Sequence, residues 1–101
     1  MNKFPIRVKD GLQFSLKNFV QKSYQKYDEA NKKFVKNPTW AKGMSPVYLF
    51  GLKDGQQIEL SRATLAQCLI SAFDYGKGLL DCRFVVKTNG KVGKEVRYFI
   101  N

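Results

Sequence analysis

Apolar and polar positions alternate from Ile6 to Leu16 on both sides of Asp10-Gly11. That dipeptide favours the positive φ angles of a tight turn, so the segment predicts a β-hairpin. A clearer hairpin is predicted where Val47-Tyr48-Leu49-Phe50-Gly51-Leu52 and Gln56-Gln57-Ile58-Glu59-Leu60 flank Lys53-Asp54-Gly55. A third lies at the C-terminal end. Leu80, Cys82, Phe84 and Val86 alternate with Asp81, Arg83, Val85 and Lys87, and Val96, Tyr98 and Ile100 alternate with Arg97, Phe99 and Asn101. The basic, glycine-bearing loop 88–94 joins these two runs. Ser61 is placed to cap a helix. The run Ala63 to Phe73 carries Leu65, Leu69 and Phe73 on one stripe, with Ala66 and Ile70 beside it. Its 11 residues hold no charge, which predicts a largely buried helix over about 62–75, stopped by Gly76 and Gly78.

Residues 16–34 support two readings. Leu16, Phe19, Val20, Tyr24, Tyr27, Ala30 and Phe34 fall at helical spacing. Lys22 to Tyr27 and Lys32 to Lys36 also read as strands around an Asp28-Glu29-Ala30-Asn31 turn. Asn37-Pro38 ends whichever element precedes it. Val8 to Leu16 echoes Leu52 to Leu60 at an offset of 44, which two hairpins sharing one turn chemistry account for without duplication. Phe14, Phe50, Phe73 and Phe84 sit on apolar stripes and are the expected aromatic core.

A length of 101 residues with 44% apolar content suits one domain, 1–101, with one core. No apolar run follows Met1-Asn2-Lys3-Phe4-Pro5, so a soluble, cytoplasmic protein with no membrane partner is expected. Charge changes the picture most. The net +10 divides into +7 over residues 1–42, −1 over 43–76 and +4 over 77–101. Basic ends around a neutral middle imply that the ends share a surface while the middle supplies core. Such a surface attracts polyanions by field focusing and counterion release.

Catalysis finds little support. The chain has no histidine, hence neither the usual base near neutral pH nor the commonest metal ligand. Asp10 and Asp54 are explained by turns, and Cys68 and Cys82 form no CxxC. Cys68 reads as a small core residue, and no disulfide, metal or cofactor is expected. Gly76-Lys77-Gly78 and the 90–94 loop lack the strand–loop–helix context of a phosphate-cradling motif.

Lysines interleave with aromatics instead. Within 17–42 stand Lys17, Phe19, Lys22, Tyr24, Lys26, Tyr27, Lys32, Lys33, Phe34, Lys36, Trp40 and Lys42. Single strands expose base faces on which rings stack while ammonium groups follow the phosphates. Trp40 and Tyr48 are the strongest stacking candidates, because Trp40 lies in a loop between Lys36 and Lys42 with no stripe to join. The C-terminal hairpin adds Arg83, Lys87, Lys91, Lys94 and Arg97.

Taken as strands with one helix between the third and fourth of a five-stranded set, the element order resembles the OB-fold, a small Greek-key barrel. The run Cys82 to Lys87, with Gly90, Gly93 and Lys94 to Ile100, is similar to the closing hairpin of small phage-type single-stranded DNA-binding proteins. The loop Lys36-Asn37-Pro38-Thr39-Trp40-Ala41-Lys42-Gly43 before Val47-Tyr48-Leu49-Phe50 is similar in character. The resemblance implies a mostly β fold: a five-stranded OB-like Greek-key barrel with one buried helix. It also implies a non-enzymatic protein that coats single-stranded DNA, or RNA, in replication or recombination of a phage or mobile element. Replication or recombination proteins would be further partners, with homo-oligomerisation left open. The implied contacts are Tyr24, Lys26, Lys33, Lys36, Trp40, Lys42 and Tyr48, with Lys87, Lys91 and Arg97 on a neighbouring rim, and the lysine–aromatic interleaving adds Lys22. Two alternatives stand beside this. One is an α+β winged-helix-like duplex binder with an extra helix at 17–34 and a wing at 87–94. The other is a basic inhibitor or interaction protein from a mobile element.

Overall fold

Strand dominates the chain, as the alternation requires. In chain order the elements are β1 (Ile6–Arg7), β2 (Gln13–Phe14), β3 (Leu16–Asp28), β4 (Lys33–Asn37), β5 (Ser45–Leu52) and β6 (Gln57–Ser61). Then come α1 (Arg62–Asp74), a 3-10 turn at Leu79–Asp81, β7 (Phe84–Thr88) and β8 (Val96–Ile100). The computed structural model describes residues 4–88 and 96–100, with side chains over 4–87. One sheet has the order β1-β6-β5-β3-β4 and the other β2-β7-β8.

The ambiguity at 16–34 resolves as strand, and the helix at 17–34 is corrected, together with the winged-helix architecture that needed it. The cause is visible in the register of β3 against β5, which slips between Leu16 and Asn18 and again between Phe19 and Gln21. Each slip is a β-bulge that inserts one extra residue, Lys17 and then Val20. Leu16, Phe19 and Lys22 therefore stand three apart along the chain yet face the same way, opposite Leu52, Phe50 and Tyr48. Two bulges in succession imitate the helical period. The turn into β4 is held by Asp28, whose carboxylate accepts from the Ala30 amide at 3.0 Å and from Asn31 Nδ2 at 2.8 Å. These bonds, the Asn31 side chain foremost, lower the Asp28 pKa.

The five-stranded sheet curls into a half-barrel. In a flat sheet its edge strands β1 and β4 would lie about 19 Å apart, four strand spacings. Arg7 on β1 instead sits 5.0 Å from the centroid of the Phe34 ring on β4. Arg7 Nη2 also meets Glu59 Oε1 at 3.2 Å, and Lys36 Nζ pairs with Glu59 Oε2. Side chains on the inner face thus fasten the two edges across the mouth of the curl. Val47, only 3% exposed, lies on that inner face, as its register with Ser23 and Ser61 requires.

The main core forms on the outer face of the curl. Leu16, Phe50, Leu52, Ile58 and Leu60 meet Phe14, Phe84, Val86, Cys82, Cys68 and Ala72 there. Helix α1 lies against β5, β6 and β8, and the 3-10 turn against β3. Ser61 caps α1 as anticipated, its side chain accepting from the Thr64 amide at 3.1 Å. Gly76, with φ of 66°, provides the left-handed exit.

Burial of α1 is corrected. Only Cys68 and Ala72 are buried, and their small side chains allow close approach to the sheet. Leu69, Ile70 and Phe73 point away from it, and Phe73 is 83% exposed rather than core. The first hairpin is corrected as well. Gly11 makes the expected turn at φ of 84°, but β1 runs parallel to β6 while β2 pairs with β7. Alternation identifies a strand and its faces, not its partner. Leu80 belongs to the 3-10 turn instead of a strand. Cys68 and Cys82 are both free and buried.

Candidate nucleic-acid interface

Helix α1 packs on β5 and β6, and the lysine–aromatic positions of β3 lie on the same outer face of the sheet. The bulges decide what appears there. After Phe19 the strand presents Lys22, Tyr24 and Lys26 on the outer face, opposite Tyr48, Pro46 and Val35 respectively. Lys22 Nζ stands 5.3 Å from the Tyr24 ring centroid and 5.7 Å from that of Tyr48. One ammonium is thus held between two rings that are only half-buried. Attraction to the ring faces steers it there without neutralising it. Phe19, 53% exposed, extends the strip at one end and packs edge-on against Phe50 at 5.5 Å.

Trp40 and Lys42 border the other end. Their loop leaves the sheet at Asn37 and returns at Ser45-Pro46, and Asn37 and Pro46 are the two cross-strand partners of Tyr24. The Trp40 indole N–H donates to the Met44 carbonyl at 3.2 Å. This fixes the loop while leaving the residue 59% exposed. Phe19, Tyr48 and Tyr24 thus share one face with Lys22 and Lys26, and the loop that carries Trp40 and Lys42 adjoins the Tyr24 end of it.

The remaining candidates lie elsewhere. Lys33 is exposed at the turn end of β4, opposite Asp28. Lys36 falls on the inner face, where its ammonium is engaged by Glu59, so it is structural in position and not part of the outer strip. Lys87 is exposed on the second sheet and stands opposite Arg97 in its register. The Arg97 side chain and the whole of Lys91, with the 89–94 loop, lie outside the described residues.

Sequence reasoning counted Phe19 among the interleaved lysines and aromatics but not among the contacts, and missed Arg7 and Glu59 as the fastening of the curl. Phe19 could have been found by allowing a bulge every third residue. Nothing in the local pattern marks Glu59, because its cations come from strands far away in sequence. Among the described residues no cluster of three or more potential metal ligands occurs, and no helix is long and apolar enough to cross a membrane. No protein family, curated protein or solved structure matches this chain.

Proposed function

We propose that the protein binds single-stranded nucleic acid, DNA in the first instance, without catalysing a reaction. Bases stack on the aromatic strip while phosphates are neutralised by Lys22, Lys26 and Lys42. The observation that carries this reading is Lys22 set over the half-buried rings of both Tyr24 and Tyr48, on the sheet face that also bears Phe19 and Lys26. A cation between stacking surfaces suits a chain that alternates phosphate and base. The net charge of +10 supplies the long-range attraction. Contact through phosphates and ring faces makes binding largely sequence-independent and strongly salt-dependent.

The half-barrel supports an OB-like assignment through its long bent strand β3, shared between β4 and β5, and through the helix that follows the β5–β6 hairpin. It departs from that pattern in using β7 and β8 for a separate sheet with β2. A role in replication or recombination of a phage or mobile element follows from the resemblance of the closing hairpin. A second reading, a basic interaction protein, is favoured by the exposed Leu69, Ile70 and Phe73 of α1. The deciding experiment titrates single-stranded and duplex oligonucleotides of equal length at two salt concentrations, following Trp40 fluorescence. Tighter binding of single strands, weakening steeply with salt, is expected. Preference for duplex, or no binding to either, overturns the proposal, and the latter favours the interaction protein.

A further inference from the structure

The two sheets meet at a place that the aromatic strip does not use. Ile6, Arg7 and Lys9, the Leu12–Ser15 segment and the turn after Leu52 surround an open groove of about 660 Å³, and Arg83 also lines it. Its apolar lining comes from Ile6, Leu12, Phe14 and Leu52. Around this stand four cations, Arg7, Lys9, Lys53 and Arg83, with Asp54 as the one acid of the lining among the described residues. Asp54 Oδ1 accepts from the Gln56 amide of its own turn at 2.9 Å, and its single negative charge leaves the lining with a positive balance. Glu59 holds Arg7. Lys9, Lys53 and Arg83 enter no salt bridge among the described residues. They come from three separate segments of the chain to the lining of one groove. Folding that gathers unneutralised charges around an apolar hollow leaves a site whose field favours an anion. The volume is that of a small-molecule site, and an apolar lining with a few convergent polar groups is the usual make-up of one.

We propose that this groove binds a nucleotide phosphate, with the phosphate between Lys53, Lys9 and Arg83 and the sugar and base against Leu12, Phe14 and Leu52. The nucleotide is either free or one unit of a longer strand; the chemistry recognised is the same. The site is distinct from the strip on β3 and does not require it. Lys17, extruded by the first bulge next to the Leu16–Leu52 pair, stands at the end of β3 nearest the groove and would lead a strand from one to the other.

The test is a titration of isotope-labelled protein with thymidine 5′-monophosphate, with thymidine as the uncharged control, read by backbone amide NMR shifts. The nucleotide is expected to shift amides in 6–15 and 52–56 saturably, and thymidine is not. The double variant Lys53→Gln/Arg83→Gln should weaken the nucleotide at least tenfold. Both side chains are exposed, so an unchanged circular dichroism spectrum will confirm that the variant is folded. Tyr24→Ala/Tyr48→Ala should bind the nucleotide as the wild type does, which separates failure of this proposal from failure of the strip. Displacement of the nucleotide by oligothymidylate would identify a strand as the source, and simultaneous binding a free nucleotide. No saturable shift, or an unchanged affinity in the double variant, overturns the proposal.

Discussion

Replacing Glu59 by glutamine should loosen the half-barrel at its edges. The side chain is 9% exposed and serves two cations, Arg7 at 3.2 Å and Lys36, which are themselves 50% and 40% exposed. Glutamine keeps the shape and one acceptor oxygen but removes the charge. Arg7 and Lys36 can then turn to water, so no isolated charge is left buried and the full cost of breaking a buried ion pair does not apply. What is lost is the charge assistance of the hydrogen bonds, about 1.5–3 kcal/mol. With a urea m-value of about 1–1.5 kcal/mol/M for a chain of this size, the midpoint falls by about 1–3 M. The assay is urea unfolding followed by circular dichroism, joined to native-state hydrogen exchange. Exchange should accelerate most in β4 and at β1, the strands that Glu59 fastens, and least in β5 and β6. A loss under about 0.5 kcal/mol, the size of an ordinary surface change, or uniform acceleration across the sheet, would refute the fastening.

Three further outcomes follow from the same geometry. Trp40→Ala should weaken oligothymidylate by about 1–3 kcal/mol, the worth of one stacked base, with thermal stability unchanged; unaltered affinity in a fluorescence-anisotropy titration removes Trp40 from the interface. Phe73→Ser should change unfolding free energy by no more than about 0.5 kcal/mol, because the ring is 83% exposed, and a larger loss in a urea titration would show that α1 is buried after all. Burial, aided by the neighbouring Cys82, pushes the Cys68 thiol from 9.0 up to about 12. A group whose proton is held more tightly in the folded state stabilises it fully below the unfolded pKa. Stability should therefore decline between pH 9 and 12, and thiol labelling at pH 8 should require denaturant. Rapid labelling of native protein at pH 8 would contradict the packing of both cysteines.

The parts of the fold that were legible in sequence are those fixed by neighbours along the chain. Asp54-Gly55 placed the β5–β6 hairpin, Ser61 placed the start of α1, and Pro38 placed the end of β4. The failures share a different character. Leu69 and Phe73 were expected inside because eleven uncharged residues look buried, whereas packing is done by Cys68 and Ala72, the small side chains of the adjacent stripe. Asp10-Gly11 turned as its chemistry demands, yet the strands on either side joined different sheets. The candidate interface shows the same division. Trp40 stood out by having no stripe to join, and Tyr24 by its lysine neighbours. Lys36 looked equivalent to Lys33 in composition, but Gln25 is its cross-strand partner, which turns it to the inner face toward Glu59. Only the bulges at Lys17 and Val20 determine which β3 residues share a face, and a bulge leaves the same trace in sequence as a turn of helix.

Chemical-shift mapping with oligothymidylate tests the account most directly, because it asks whether the outer face of β3 is where strands bind. Saturable shifts gathered on Phe19, Lys22, Tyr24, Lys26, Tyr48 and the Trp40 loop, with α1 unmoved, are the predicted result. Shifts concentrated on Leu69, Ile70 and Phe73, or none on β3 at saturation, would contradict it.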